Sequence, residues 1–170
     1  MPNTMTLIAS STVGATSVSN IIFSSIPGTY TDLVLKMSLR SNTTDGNDPY
    51  DLVFTLNSTS TITSKVLRGD GSGVASNSIT DRILRGGPVP SSYTASTFSN
   101  GEIYIPNYAG SANKSWSSDS VLENNATGTG MSLVAGLTSI TAAITSITIA
   151  PLAGGFVQYS TAYLYGIKKD

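Results

Sequence analysis

Without histidine or cysteine, this 170-residue chain has only carboxylates, lysine and tyrosine for acid–base or nucleophilic chemistry. Histidine is the commonest general base and metal ligand, so its absence removes the usual catalytic pairings and the usual pH switch. Disulfides and thiolate metal sites are excluded in the same way. The acids are Asp32, Asp45, Asp48, Asp51, Asp70, Asp81, Glu102, Asp119, Glu123 and Asp170. A glycoside hydrolase would need two of them across a cleft. Most fall in segments that read as turns, where aspartate is simply a good turn former. None has a distinctive spacing, so no catalytic residue, no cofactor and no metal centre is expected.

Four smaller features carry weaker signals. Asp45, Asn47, Asp48 and Asp51 form one oxygen-rich cluster, and hard cations take such ligands. The spacing does not match the helix–loop–helix calcium pattern, so Asp45, Asp48 and Asp51 read first as turn chemistry. Arg68-Gly69-Asp70 spells a tripeptide that some cell-surface receptors read, but three residues in a glycine-rich turn arise often by chance. Asn42, Asn57, Asn113 and Asn125 open N-x-Ser/Thr sequons. Tyr50, Tyr93, Tyr104 and Tyr108 lie near loops and, with Trp116, offer sugar-stacking surfaces, although packing is the commoner fate of such rings.

The elements that must position these residues are strands. Polarity comes from 27 Ser and 22 Thr rather than from charge, which makes up 11% of the chain against about 25% in typical domains. The net charge is −1, which gives no electrostatic hold on nucleic acid or an anionic membrane. Many Val, Ile and Thr residues and eight Tyr suit pleated strands. Residues 1–10 have no basic start and no long apolar run, which predicts no export signal. Residues 131–149 are long enough for a bilayer, yet their repeated Thr-Ser-Ile predicts two buried strands with a break between them.

Period-two alternation is clearest over residues 31–40, where Leu33, Leu35, Met37 and Leu39 share one face and Lys36, Ser38 and Arg40 share the other with Val34. Other strands are expected at residues 5–9, 18–23, 51–57, 61–67, 98–105, 114–122, 131–137, 143–149 and 156–167. The pair 51–57 and 61–67 reads as a hairpin. Residues 68–73 read as a turn, and 77–90 as a short helix or an irregular loop. Nine or ten short strands with turn chemistry between them predict an all-β fold, an antiparallel sandwich of jelly-roll type, with residues 1–170 as one domain. Between residues 124 and 167 no Asp, Glu, Lys or Arg occurs. Those strands are either central in the sandwich or turn one face to another subunit, because interface cores are depleted in charge.

Three stretches taken together resemble a known group. They are Ile22-Phe23-Ser24-Ser25-Ile26-Pro27 with Tyr30-Thr31-Asp32-Leu33, then Ile103-Tyr104-Ile105-Pro106-Asn107-Tyr108 with Lys114, and Ala143-Ile144-Thr145-Ser146-Ile147 with Ser160-Thr161-Ala162-Tyr163-Leu164-Tyr165-Gly166-Ile167. In this order they are similar to small virion proteins of tailed bacteriophages. The resemblance implies a non-enzymatic part of a virus particle, assembled in the bacterial host cytoplasm. Two roles follow from it. One is a capsid decoration or cement protein bound to the major capsid protein, with a homotrimer favoured; the other is a tail-fibre or tail-spike domain that binds a host-surface glycan or protein. A sandwich pattern that begins almost at Met1 favours the first.

Overall fold

Strand β3 (Asp32–Ser38) shows how alternation becomes structure. Leu33, Leu35 and Met37 point into the core, and Lys36 points to solvent. Val34 shares the outward face but is buried, because its cross-strand neighbours are Tyr104 on one side and Tyr165 on the other. In the computed structural model, which describes residues 4–44, 51–59, 62–80, 83–85, 87–124 and 129–168, the chain is all β with no helix among those residues.

Twelve strands form two antiparallel sheets. Besides β3 they are β1 (Met5–Thr12), β2 (Ile21–Phe23), β4 (Asp51–Leu56), β5 (Ile62–Gly69), β6 (Val74–Ile79) and β7 (Ile83–Arg85). The remainder are β8 (Asn100–Ile105), β9 (Lys114–Glu123), β10 (Thr129–Thr138), β11 (Ile147–Pro151) and β12 (Thr161–Ile167). The large sheet has the order β1-β12-β3-β8-β9-β10-β5-β6, and the small one β2-β11-β4-β7.

Eight of these strands make a jelly roll. The pairs β1–β12, β2–β11, β3–β8 and β4–β7 are the rungs of one long hairpin rolled over itself. The rolling places β1-β12-β3-β8 in one sheet and β2-β11-β4-β7 in the other. The remaining four strands are two inserted hairpins, β5–β6 and β9–β10, which lengthen the first sheet beyond β8 as a wing.

Four expectations are corrected. The run 61–67 does not pair with β4: β5 crosses to the large sheet and pairs with β10 and β6. The described residues of 77–90 hold neither a helix nor only loop, but the end of β6 and all of β7. These strands also raise the count from nine or ten to twelve; β6 has exposed residues on both faces, so it lacks the alternation that marks a half-buried strand. Residues 156–167 are not one strand, because 156–160 form a turn ahead of β12. The apolar run 131–149 does break into two strands, β10 and β11.

The core lies between the sheets, with Phe54, Leu52, Leu56, Ile147 and Ile149 of the small sheet facing Leu33, Leu35, Ile103 and Leu164 of the large one. Trp116 joins the wing to this core. Its ring meets Phe54 edge-on at 5.3 Å between centroids, and its indole lies over Gly136 of β10 on the neighbouring strand. An ideal Cβ at Gly136 would stand 2.1 Å from the indole carbons, so only glycine admits the ring.

The two ends of the sandwich are closed by side chains bonded to loop backbone. At one end the Arg40 guanidinium donates to the carbonyls of Ser91, Tyr93, Thr94 and Thr97 and to the Thr97 hydroxyl. At the other, Asn57 Oδ1 accepts from the amides of Thr145 and Ser146, and its Nδ2 donates to the Ala143 carbonyl. Lys114 is buried, and its Nζ donates to the carbonyls of Gly110 and Ala112 in the β8–β9 loop.

Replacing Gly136 with Ala is expected to lower unfolding stability by about 1–3 kcal/mol, as overpacking does. The control Gly14→Ala meets open space and is expected to change it by less than about 0.5 kcal/mol. Urea titration of the two variants checks the difference.

Candidate functional site

The wing turns one face to the small sheet and the other to solvent; the inward face carries Ile62, Val66, Trp116, Leu122 and Val134, and the solvent face carries large apolar residues as well. Along β10 the outward residues are Met131, Leu133, Ala135 and Leu137, while Ser132, Val134 and Thr138 point in. Register places these residues in rows across four strands. One row runs Val121, Met131, Gly69, Val74, and the next Asp119, Leu133, Leu67, Ser76. Val74 is 84% exposed, Met131 60% and Leu133 58%. Gly69 leaves a gap that Met131 and Val74 close over: their side-chain carbons lie 3.8 and 3.9 Å from where its Cβ would stand.

Charge stands only at the margin of this patch. Lys65 follows Leu67 on the same face of β5 and donates to the Ser78 hydroxyl of β6 at 2.6 Å. Asp119 is opposite Leu133 on β9, and across β8 the exposed pair Lys36–Glu102 lies in the same row as Asp119. Such an exposed pair contributes little to stability. The outer edge of β6 has no strand beside it among the described residues, and β6 itself carries no charge. Natural edges are usually blunted by lysine, proline or bulges. An exposed apolar patch beside an unguarded edge has the chemistry of a contact surface.

The charge-free stretch 124–167 therefore divides. In β11 and β12 the inward residues Ile147, Ile149, Ala162 and Leu164 are core, as central strands require. In β10, one whole face is open.

Residues that looked chemical in the sequence mostly hold the fold. Asp51 is buried in β4, whereas Asp45, Asp48, Tyr50, Asp81 and Asp170 lie outside the described residues. Among the described residues no three acids stand close enough to hold a metal ion. Asp32 accepts from the Tyr104 hydroxyl at 2.8 Å and from the Asn107 amide at 2.9 Å. The hydrogen bond to that carboxylate, then burial, raises the Tyr104 phenol above its ordinary pKa. Tyr108 is fully buried and donates to the Pro27 carbonyl, and Tyr93 is half-buried. Of the sequon asparagines, Asn42 accepts from the Gly155 amide, Asn57 caps its loop and Asn113 is exposed. Asn125 lies outside the described residues.

The stretches that carry the family resemblance meet at one end of the sandwich. Tyr30 lies on Gly166, where an ideal Cβ would fall 2.3 Å from its ring. Lys168 places its ammonium over the same ring, 5.5 Å from the centroid. The Ile26 amide donates to the Thr145 carbonyl, and the Ile144 amide to Tyr108. With the Tyr104–Asp32 and Tyr108–Pro27 bonds, these contacts tie the three stretches into one closure. Their residue types are accounted for by packing and hydrogen bonding rather than by a ligand site.

Two exposed features remain. Asp70 of the Arg68-Gly69-Asp70 turn accepts from the amides of Ser72 and Gly73 and from the Ser72 hydroxyl. Those bonds, with the Ser72 amide first, pull its pKa down to about 2. The other is Tyr159, exposed between β11 and β12, which the sequence concealed by extending the β12 alternation back through residue 156. No protein-family model, no curated protein and no solved structure matches the chain.

Changing Leu67 and Leu133 together to Lys is expected to leave thermal stability nearly unchanged, as surface substitutions do. It should at the same time abolish binding of an apolar fluorescent dye; undiminished dye binding would place the accessible apolar surface elsewhere. A second outcome concerns the turn. A carboxyl depressed in the folded state stabilises it above the unfolded value of 3.8 and loses that contribution as pH falls through about 2. Carboxyl NMR is expected to show Asp70 titrating near 2, with amide exchange at Ser72 and Gly73 accelerating over the same interval.

Proposed function

We propose that this chain is a non-enzymatic structural protein of a tailed-phage particle, a decoration or cement protein seated on the outer capsid shell. The observation that carries the reading is the apolar outer face of the wing. A jelly roll is complete with eight strands, and here two extra hairpins extend one sheet and present Leu67, Val74, Val121, Met131 and Leu133 to solvent. Burying that face against another protein removes apolar area from water at roughly 25 cal/mol per Å², without the desolvation of charge that a typical polar surface would impose.

The partner in this reading is the major capsid protein, and a homotrimer is the assembly to look for on the shell. Low charge fits the role, since charge is the usual guard against association. A net charge of −1 gives no reason to place nucleic acid at this surface. The localisation that follows is the virion, after assembly in the host cytoplasm.

Immunogold labelling of the particles with antibody to the chain tests the proposal. Label spread over the heads is expected, with a copy number by quantitative mass spectrometry comparable with that of the shell subunits. Label confined to the tail, at a few copies per particle, would replace it with an attachment role.

A further inference from the structure

Among the described residues, six that are not glycine have a left-handed backbone: Ser25, Asn57, Ser58, Ser96, Asn107 and Tyr159. Five are serine or asparagine, whose small polar side chains tolerate it. Tyr159, at φ 71°, is the exception. It is the third residue of the turn 157–160, which closes with the Ser160 amide donating to the Val157 carbonyl at 3.1 Å. Positive φ at the third residue and not the second is the type II pattern, where glycine or asparagine is usual.

The backbone here is held from several sides. The Tyr159 amide donates to the Val13 carbonyl, the Val13 amide to the Ser160 carbonyl and the Val157 amide to the Arg40 carbonyl. The Ser160 hydroxyl bonds both the amide and the carbonyl of Arg40. These bonds use main chain or Ser160, and none uses the tyrosine ring, which stands 68% exposed. The fold thus asks for this backbone but not for this side chain. A bulky aromatic in a strained, over-determined and exposed position points to a contact made by the ring.

The segment beside it indicates the chemistry. Residues 13–18 run along 156–160, tied at Val13 and at the Val18–Phe156 bridge. Between those ties Ala15, Thr16 and Ser17 are exposed, as is Gln158. They supply neutral hydrogen-bonding groups and small side chains, with Val18 the large apolar residue exposed in the same segment. We propose that Tyr159 is the platform of a binding site for a neutral saccharide, its ring stacked on an apolar sugar face and Thr16, Ser17 and Gln158 meeting the hydroxyls. The site lies apart from the wing, and the proposal does not rest on the virion role.

The test compares wild type with Tyr159→Asn and Tyr159→Phe, using maltoheptaose, cellohexaose and dextran as probes. Amide shift changes confined to residues 13–18 and 156–160 are expected with at least one probe. Tyr159→Phe should keep affinity within about threefold, and Tyr159→Asn should lose tenfold or more, about 1.4 kcal/mol. Asparagine accepts the backbone, so the melting temperature of Tyr159→Asn should equal or exceed that of wild type. A fall in its melting temperature of more than about 3 °C, near 1 kcal/mol in a chain this size, would show that the ring supports the fold and would overturn the proposal. So would binding of none of the probes, or equal binding by Tyr159→Asn. Loss of particle binding by Tyr159→Asn in a protein that takes no saccharide would make Tyr159 a protein anchor and overturn the saccharide assignment.

Discussion

A jelly roll sends its chain from one sheet to the other at the two ends of the sandwich, and every crossing takes backbone N–H and C=O groups off the strand ladders. Those groups are costly to bury without partners, at about 1–3 kcal/mol each. Here they are met by a few long polar side chains. Arg40 gathers four carbonyls of one loop with the planar fork that lysine lacks. Asn57, Asp32 and Lys114 do the same at the opposite end. With no disulfide available, these hydrogen bonds fix where each crossing goes, and hence which strands lie side by side.

With both ends closed in this way, one sheet is free to grow past the roll. The wing is anchored by Trp116, which reaches from β9 to Phe54 in the opposite sheet across the space that Gly136 leaves open. Beyond that anchor the inward face mixes small polar groups, with Ser120 and Ser132 sharing a hydrogen bond, with the buried apolar side chains of Ile62, Val66, Leu122 and Val134. The outward face keeps its large apolar residues. An ordinary half-buried sheet covers its apolar side and leaves a polar side wet, whereas the wing has large apolar residues on both sides.

The two exposed features differ in physical kind. The wing patch is a set of exposed apolar side chains spread over four strands, the chemistry of a contact in which area matters more than geometry. Tyr159 is one ring on a rigid turn among neutral polar neighbours, suited to recognition in which position matters more than area. They sit on different parts of the molecule, so one can be covered while the other stays accessible.

Much of the fold was legible in the sequence because alternation and turn residues are local signals. Leu33, Leu35, Met37 and Leu39 announced the core face of β3, and of the charge-poor run 124–167 only β11 and β12 are the central strands that such a run allows. What stayed hidden was settled at a distance. That β5 joins β10 rather than β4, that Val34 is covered by tyrosines and that β10 leaves a face open all depend on pairings between segments far apart in the chain. The sequence determined the all-β class and ten of the twelve strands, the absence of histidine and thiol side chains, and which strand faces carry apolar residues. Only the tertiary structure decided which apolar faces are buried and that Tyr159 stands outside, because burial is a property of neighbours that no local pattern records.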